Sequence, residues 1–215
     1  MKFTTLFFDL DDTLYTNTCG LWPAIKDRIG RYMIERIGVP AEQAPELRKM
    51  FYETYGTTLR GLQQHFQVDS EDFLAYVHDV PLERFIGPDP ELRRLLLSLP
   101  QEKWIFTNAD DRHACRVLEM LGVSDLFAGV VDVRSMQYCC KPQAEAYRIA
   151  MRLAGEDQPE RSVLLDDSPR NLAPAKDLGF WTVLVGAEER HPAAHTPVKN
   201  LLDLPGALPE LWEPE

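Results

Sequence analysis

The sequence predicts an α/β fold, in which a parallel sheet has helices on both faces and a helical domain is inserted after the first strand. Short apolar, β-branched runs recur along the chain and are separated by helix-length segments, which is typical of parallel sheets. The interval of about 70 residues after the first run has helical patterns only, and it is too long for a loop within a compact domain.

Five runs are predicted to be strands. The first run ends abruptly at carboxylates, as a buried parallel strand does at its carboxyl end. The predicted strands are residues 3–8, 104–106, 129–133, 162–165 and 181–185. Helices that end at or near a glycine are predicted over residues 111–121, 143–153 and 169–178.

The long interval after the first strand contains several predicted helices. Apolar residues recur every three or four positions from 22 to 37, which predicts an amphipathic helix that ends at Gly38. Two further helices are expected within residues 47–55 and 73–77. The two glycines of residues 55–62 interrupt the helical pattern and predict a turn between helices.

The chain of 215 residues is long enough for one core domain with a smaller insert. We expect a catalytic core formed by residues 1–14 and 88–215, and a helical-bundle cap domain formed by residues 15–87. The string GPDP at residues 87–90 marks the return of the chain to the core.

Composition and charge disfavour several classes of partner. The formal charge of −11 is spread along the chain, which disfavours nucleic acid polymers and anionic membranes. We expect no membrane span and no signal peptide, and the four cysteines lack the spacing of a metal site. These features predict a cytoplasmic protein that acts on a small molecule. We expect it to be a monomer or a homodimer, without a sequence feature that decides between the two.

A cluster of carboxylates follows the first predicted strand. In the segment FFDLDDTLY, Asp9 and Asp11 alternate at the strand end, where open α/β sheets bind ligands. Crowded carboxylates disfavour one another's ionisation, and a divalent cation resolves that conflict. A solvated turn or a helix cap is the alternative interpretation of such a string taken alone.

This segment resembles the first signature of the haloacid dehalogenase superfamily, in its phosphatase form. Three further segments match in family order: WIFTN at residues 104–108 resembles the second signature, Lys141 in CCKPQAEAY the third, and VLLDDS at residues 163–168 the fourth. The resemblance implies a Rossmann-like core with a cap domain and a magnesium-dependent hydrolysis of phosphomonoesters.

The resemblance also implies a role for each catalytic and phosphate-binding residue. Asp9 would attack phosphorus and form an aspartyl phosphate, and Asp11 would protonate the leaving oxygen and then activate water. The Thr107 hydroxyl, the Asn108 backbone amide and the Lys141 ammonium would bind the phosphoryl group, and Lys141 would also offset the negative charge.

The same resemblance implies a set of oxygen ligands for Mg²⁺. Asp9, the backbone carbonyl of Asp11, Asp166 and Asp167 would form the metal shell, directly or through water. Of the last two, Asp167 is favoured for direct contact. Carboxylate and carbonyl oxygens suit magnesium better than a soft transition metal.

Two shorter strings resemble a narrower subgroup, the pyrimidine 5′-nucleotidase-like phosphatases of fungi, plants and bacteria. They are TTLRGL in the predicted cap and DDSPRN at residues 166–171. This resemblance implies a pyrimidine nucleoside 5′-monophosphate as the leading substrate, with substrate contacts from Thr58 and Arg60.

Several alternatives stay open at this point. A phosphomutase and a sugar or cofactor phosphatase share the fold, and a non-catalytic regulatory module could retain it. A haloacid dehalogenase is disfavoured, because its leaving halide needs no proton and therefore no acid at Asp11. The five histidines have no metal or nucleophile spacing, and they are predicted to be structural or surface residues.

Overall fold

The computed structural model describes residues 2–16 and 18–213. The strands are β1 (Thr5–Phe8), β2 (Glu102–Phe106), β3 (Gly129–Val131), β4 (Ser162–Asp166), β5 (Trp181–Val185) and β6 (Thr196–Val198). They form one sheet in the order β3-β2-β1-β4-β5-β6, and every neighbouring pair is parallel. The predicted parallel α/β fold is therefore confirmed.

The sheet differs from the prediction in the strands β2 and β6. The strand β2 begins two residues before the predicted run. The prediction missed its first residues, Glu102 and Lys103, because they are polar and the prediction depended on apolar runs. The sixth strand, β6, was not predicted. It has three residues with Pro197 at the centre, which is too short for a periodic pattern, and proline fits only an edge strand.

The chain folds into two compact units, Met1–Cys19 with Ile86–Glu215, and Gly20–Phe85. The first unit contains the sheet and the helices α5 (Pro90–Ser98), α6 (Asp111–Leu121), α7 (Ala144–Leu153), α8 (Pro169–Leu178) and α9 (Leu204–Ala207). In its core, Phe7 of β1 contacts Phe106 and Phe180, and Tyr147 of α7 contacts the same two rings. This aromatic cluster fixes α7 against the centre of the sheet.

The second unit is helical. It contains α1 (Leu21–Glu35), α2 (Ala44–Tyr55), α3 (Thr58–His65) and α4 (Ser70–Val77). Tyr32 of α1 packs edge-on against Phe73 and Tyr76 of α4, and its hydroxyl donates to Asp72 at 3.0 Å. Among the described residues, none of the helices combines the length and hydropathy that crossing a membrane requires.

The predicted turn over residues 55–62 is wrong for most of its length. Gly56 ends α2 with a positive φ of 95°, and α3 starts only two residues later, where Thr57 accepts a hydrogen bond from the backbone of Arg60. Gly61 lies inside α3 instead of breaking it. A Cβ at Gly61 would overlap Cγ of Phe51, so this glycine permits the close approach of α2 and α3.

Replacement of Gly61 by alanine is expected to destabilise the helical unit by about 1–3 kcal/mol, because the added methyl overpacks the contact with Phe51. Gly30 inside α1 is the matched control, since nothing lies within 4 Å of its Cβ position. Alanine at Gly30 is expected to stabilise by about 0.5–1 kcal/mol. Urea unfolding followed by circular dichroism measures both changes. Equal stability of the two variants would contradict the close packing.

Candidate active site

The predicted site residues follow three adjacent strands of the sheet. The strand β1 lies between β2 and β4, and all three are parallel, so their carboxyl ends share one edge. Asp9 follows β1, Thr107 follows β2 and Asp166 ends β4. The strand order reverses at β1, and such a reversal opens a crevice that binds ligands in α/β sheets.

An ion triad of Asp9, Lys141 and Asp166 forms the centre of this edge. Lys141 is only 1% exposed. Its Nζ lies 2.8 Å from Oδ1 of Asp9 and 2.6 Å from Oδ2 of Asp166. Loss of hydration disfavours the ammonium, but Asp166 and Asp9 outweigh it and raise the pKa of Lys141 above its ordinary value. The side chain is therefore a permanent buried cation.

A third carboxylate, that of Asp167, joins the cluster. Carboxylate oxygens of Asp9, Asp166 and Asp167 lie within 4.8 Å of one another. Loss of hydration raises the pKa of Asp9 well above its ordinary value; the charges of Asp166 and Asp167 add to this shift, and Lys141 opposes it. One ammonium cannot balance three carboxylates, so the residues fit a hard divalent cation with oxygen ligands.

The pKa of Asp167 is raised to about 7 by partial loss of hydration and then by the charges of Asp166 and Asp12. Because the Asp167 side chain is exposed to solvent, water offsets part of its loss of hydration, and the crowding of the carboxylates contributes the larger share of the raised pKa. A cation bound among these oxygens would lower the pKa of Asp167 and of Asp9.

The two acids at the end of β4 differ in their surroundings. The Asp166 carboxylate is fully buried and accepts hydrogen bonds from Lys141, from the Asn171 amide at 3.0 and 3.1 Å, and from the backbone of Ser168 at 2.9 Å. Asp167 is exposed, and its backbone N–H donates to the Thr13 hydroxyl at 3.1 Å. The Asp167 carboxylate is therefore more accessible to a metal ion than that of Asp166.

Asn108 joins the second signature segment to the third. Its Oδ1 accepts from the backbone N–H of Lys141 at 2.8 Å, and its Nδ2 donates to the backbone carbonyl of Lys141 at 3.0 Å. Thr107 is buried, and its hydroxyl accepts from the backbone N–H of Ala109 at 3.0 Å. The sequence predicted a role only for the backbone amide of Asn108, because a contact across 33 residues leaves no local pattern.

Asp11 is held by two side chains to which the sequence assigned no role. The Tyr15 hydroxyl lies 2.5 Å from Oδ1 of Asp11, and Nε2 of His113 lies 3.0 Å from the same oxygen. Loss of hydration raises the pKa of Tyr15 far above its ordinary value, and the charge of Asp11 adds to this shift. The hydroxyl therefore keeps its proton and can donate it in a hydrogen bond.

One sequence signal could have identified His113. The residue lies in the first turn of α6, the helix that follows β2, and its side chain is completely buried. Helices that start just after a strand bring their first turn to the carboxyl edge of the sheet. Since all five histidines lack a metal spacing, spacing alone did not single out this one.

The structure thus brings together Asp9, Lys141, Asp166 and Asp167, and it links Lys141 to the segment of Thr107 through Asn108. The two predicted substrate contacts lie in the helical unit. Thr58 is the first residue of α3 and is buried, and Arg60 follows in the same turn.

A family model for haloacid dehalogenase-like hydrolases matches residues 3–179 of the chain. The match includes all four signature segments and the helical unit between the first two. A relative in Saccharomyces cerevisiae, phosphate metabolism protein 8, is 27% identical over 192 residues. That match covers 83% of this chain and 60% of the relative, so the chain spans less than two thirds of the relative's length.

Several solved structures are similar to this chain. A HAD phosphatase from Thermococcus onnurineus has a TM-score of 0.64 at 16% identity, covering 94% of this chain and 96% of that one. An L-2-haloacid dehalogenase from Xanthobacter autotrophicus has a TM-score of 0.61 at 14% identity, covering 95% and 97%. A β-phosphoglucomutase from Clostridium difficile has a TM-score of 0.62 at 16% identity, covering 94% and 93%. At these identities the matches show a shared fold alone.

Proposed function

The chain belongs to the haloacid dehalogenase-like hydrolases, and we propose that within this family it is a magnesium-dependent phosphatase that acts on a small soluble phosphomonoester. The observation that supports this proposal most is the grouping of Asp9, Lys141, Asp166 and Asp167 at the carboxyl edge of the sheet. The name of the yeast relative, phosphate metabolism protein 8, agrees with a phosphorylated substrate.

Asp9 is the proposed nucleophile. Its carboxylate attacks phosphorus, the bond from phosphorus to the leaving oxygen breaks, and an aspartyl phosphate forms. Lys141 lies 2.8 Å from this carboxylate, so its ammonium offsets the charge that otherwise opposes the approach of an anionic substrate. The Thr107 hydroxyl and the Asn108 backbone amide donate to the phosphoryl oxygens.

Asp11 is the proposed acid and base. It gives a proton to the leaving oxygen in the first half of the reaction, and it takes a proton from the attacking water in the second. A phosphate ester of an alcohol needs this proton and a halide does not, so the presence of an acid at Asp11 favours a phosphatase over a dehalogenase.

Asp9, Asp167 and the backbone carbonyl of Asp11 would hold Mg²⁺, with Asp166 in contact directly or through water. When bound, Mg²⁺ supplies positive charge to the phosphoryl oxygens and to the nucleophile. Asp166 already accepts bonds from Lys141 and Asn171, and we therefore assign direct contact to the exposed Asp167.

Mg²⁺ is expected to raise the melting temperature of the protein, because it binds the folded site and not the unfolded chain. At about one hundred times the dissociation constant, the expected stabilisation is about 2.7 kcal/mol. Asp167→Asn should lose most of this shift, whereas Asp177→Asn, an exposed control in α8, should keep it. Thermal unfolding with and without EDTA measures the effect, and an unchanged shift in Asp167→Asn would exclude that residue as a ligand.

Phosphate release should stop in EDTA and return with Mg²⁺.

The leading substrate we propose is a pyrimidine nucleoside 5′-monophosphate, with Gly20–Phe85 as the cap and Thr58 and Arg60 as its substrate contacts. Support comes from the resemblance of TTLRGL and DDSPRN to the pyrimidine nucleotidase-like subgroup. The test is phosphate release from uridylate and cytidylate against purine nucleotides, sugar phosphates and cofactor phosphates. We expect kcat/KM for uridylate or cytidylate to be at least about tenfold higher than for the others. Equal values across the panel would reject the pyrimidine assignment while leaving a general phosphatase.

A further inference from the structure

We propose that Tyr15 and His113 are positioning residues that fix the orientation of the Asp11 carboxyl group. The inference rests on the proposed function, in which Asp11 protonates the leaving oxygen, and it deepens that function at the same site. Its basis is the convergence of both side chains on one carboxylate oxygen, Oδ1 of Asp11.

The two residues reach Asp11 from different parts of the core unit. Tyr15 lies four residues after Asp11, in the segment that follows β1, and His113 lies 102 residues away in α6. In the first half of the proposed reaction, Oδ2 of Asp11 carries the proton that goes to the leaving oxygen. Oδ1 can then only accept hydrogen bonds, and we assign the Tyr15 hydroxyl and Nε2 of His113 as its donors. In the second half the carboxylate is ionised, and both bonds become charge-assisted and stronger.

Both donors are held in place. The His113 side chain is completely buried, and its backbone N–H donates to Asp110 at 2.8 Å, which fixes the first turn of α6. Tyr15 is 7% exposed. Because water has little access to either donor, it competes poorly for Oδ1. Rotation of the carboxyl group about the Cβ–Cγ bond is thereby restricted.

A restricted rotation has a catalytic consequence. With Oδ1 fixed by two donors, the other oxygen, Oδ2, points in one direction instead of several. A proton donor must lie within hydrogen-bond reach of the oxygen that it protonates, and a misplacement of about 1 Å can lower a rate by about a hundredfold.

A purely structural role is the competing interpretation. In that case the contacts only attach α6 to the segment after β1, and their loss lowers the activity on every substrate by the same factor. A positioning role differs, because its loss depends on how much the leaving group needs a proton.

The discriminating measurement is the dependence of kcat/KM on the leaving group, with phenyl, 4-nitrophenyl and 2,4-dinitrophenyl phosphate in the presence of Mg²⁺. The three esters are similar in shape. Phenolate is a poor leaving group and takes the proton of Asp11 as the bond to phosphorus breaks, whereas dinitrophenolate leaves without one. Since kcat/KM reports the steps up to phosphorylation of Asp9, later hydrolysis does not obscure the comparison.

We expect Tyr15→Phe and His113→Leu to lose about 10- to 100-fold in kcat/KM on phenyl phosphate and less than about threefold on 2,4-dinitrophenyl phosphate. His113→Gln retains an amide donor and should recover part of the loss. Addition of His113→Leu to Asp11→Asn should cause no further loss on phenyl phosphate, because the histidine acts through the carboxyl group.

Tyr32→Phe is the matched control. It also removes a buried tyrosine hydroxyl that donates to an aspartate, Asp72, but it lies in the helical unit. This control should keep the wild-type dependence on the leaving group. If His113→Leu fails to fold, as judged by its thermal melting, Tyr15→Phe and His113→Gln test the same expectation.

The possible outcomes distinguish a failure of the positioning role from a failure of the proposed phosphatase function. A steeper dependence on the leaving group in Tyr15→Phe and His113→Leu, which is smaller in His113→Gln, supports the positioning role. A uniform loss across the three esters, or no loss, overturns that role and leaves the phosphatase assignment intact. A wild-type protein that releases no phosphate from any ester or nucleotide rejects the proposed function, and the positioning role is rejected with it.

Discussion

Asp9→Asn is expected to lower kcat for phosphate release by on the order of 10⁴-fold or more, because an amide cannot form the aspartyl phosphate. The fold should persist. The substitution removes one of three crowded carboxylates, and Lys141 retains Asp166 as a partner at 2.6 Å. Steady-state assays and thermal unfolding of the same preparation separate a lost nucleophile from a lost fold.

A direct test of the nucleophile is the position of the phosphoryl group. Acid quenching of the wild-type protein during turnover should leave a phosphorylated peptide that contains Asp9, identified by its mass. Asp177→Asn, an exposed substitution, should retain both turnover and that peptide. Normal turnover in Asp9→Asn would show that another group attacks phosphorus, and the proposed mechanism would be wrong.

Lys141→Met is expected to have the second-largest effect, on stability as well as on catalysis. Removal of the ammonium leaves Asp9 and Asp166 buried without their counter-charge, and the loss of one partner of a buried ion pair costs about 3–5 kcal/mol. The rate should fall on the order of 10²–10³-fold, because the charge next to the nucleophile is no longer offset. Urea unfolding in EDTA and phosphate release with Mg²⁺ measure the two effects.

The control for Lys141→Met is the same substitution at Lys49, whose exposed ion pair with Glu53 at 3.8 Å is worth at most about 0.5 kcal/mol. Addition of Asp166→Asn to Lys141→Met should restore part of the stability, since it removes one of the two uncompensated carboxylates. A loss below about 1 kcal/mol in Lys141→Met would mean that water reaches the triad and that the lysine is not a buried structural cation.

The sequence predicted those parts of the fold that leave a local pattern. The strands β1 and β4 are continuous apolar runs that end at carboxylates, so both their position and their carboxyl edge could be predicted. The edge strand β6 has three residues and a central proline, and so short a segment has no period to detect. Gly61 was predicted as part of a turn, because sequence alone does not distinguish a glycine that breaks a helix from one that lets Phe51 approach.

In the candidate site, too, the sequence predicted only the features that leave a local pattern. The placement of Asp9 and Asp166 at neighbouring strand ends follows from their position after apolar runs. The pairing of Asn108 with Lys141, and the contact of His113 with Asp11, join segments that are far apart in the chain. Such contacts are products of tertiary packing, and no spacing in a single sequence encodes them.

The two outer strands of the sheet affect how this chain associates with others. The strands β3 and β6 are each three residues long, and Pro197 removes one amide donor from β6. Exposed strand edges are the usual templates for intermolecular strand addition and aggregation, and short or proline-containing edges resist both. A homodimer of this protein is therefore expected to form through side-chain surfaces and not by continuation of the sheet from one copy into the next.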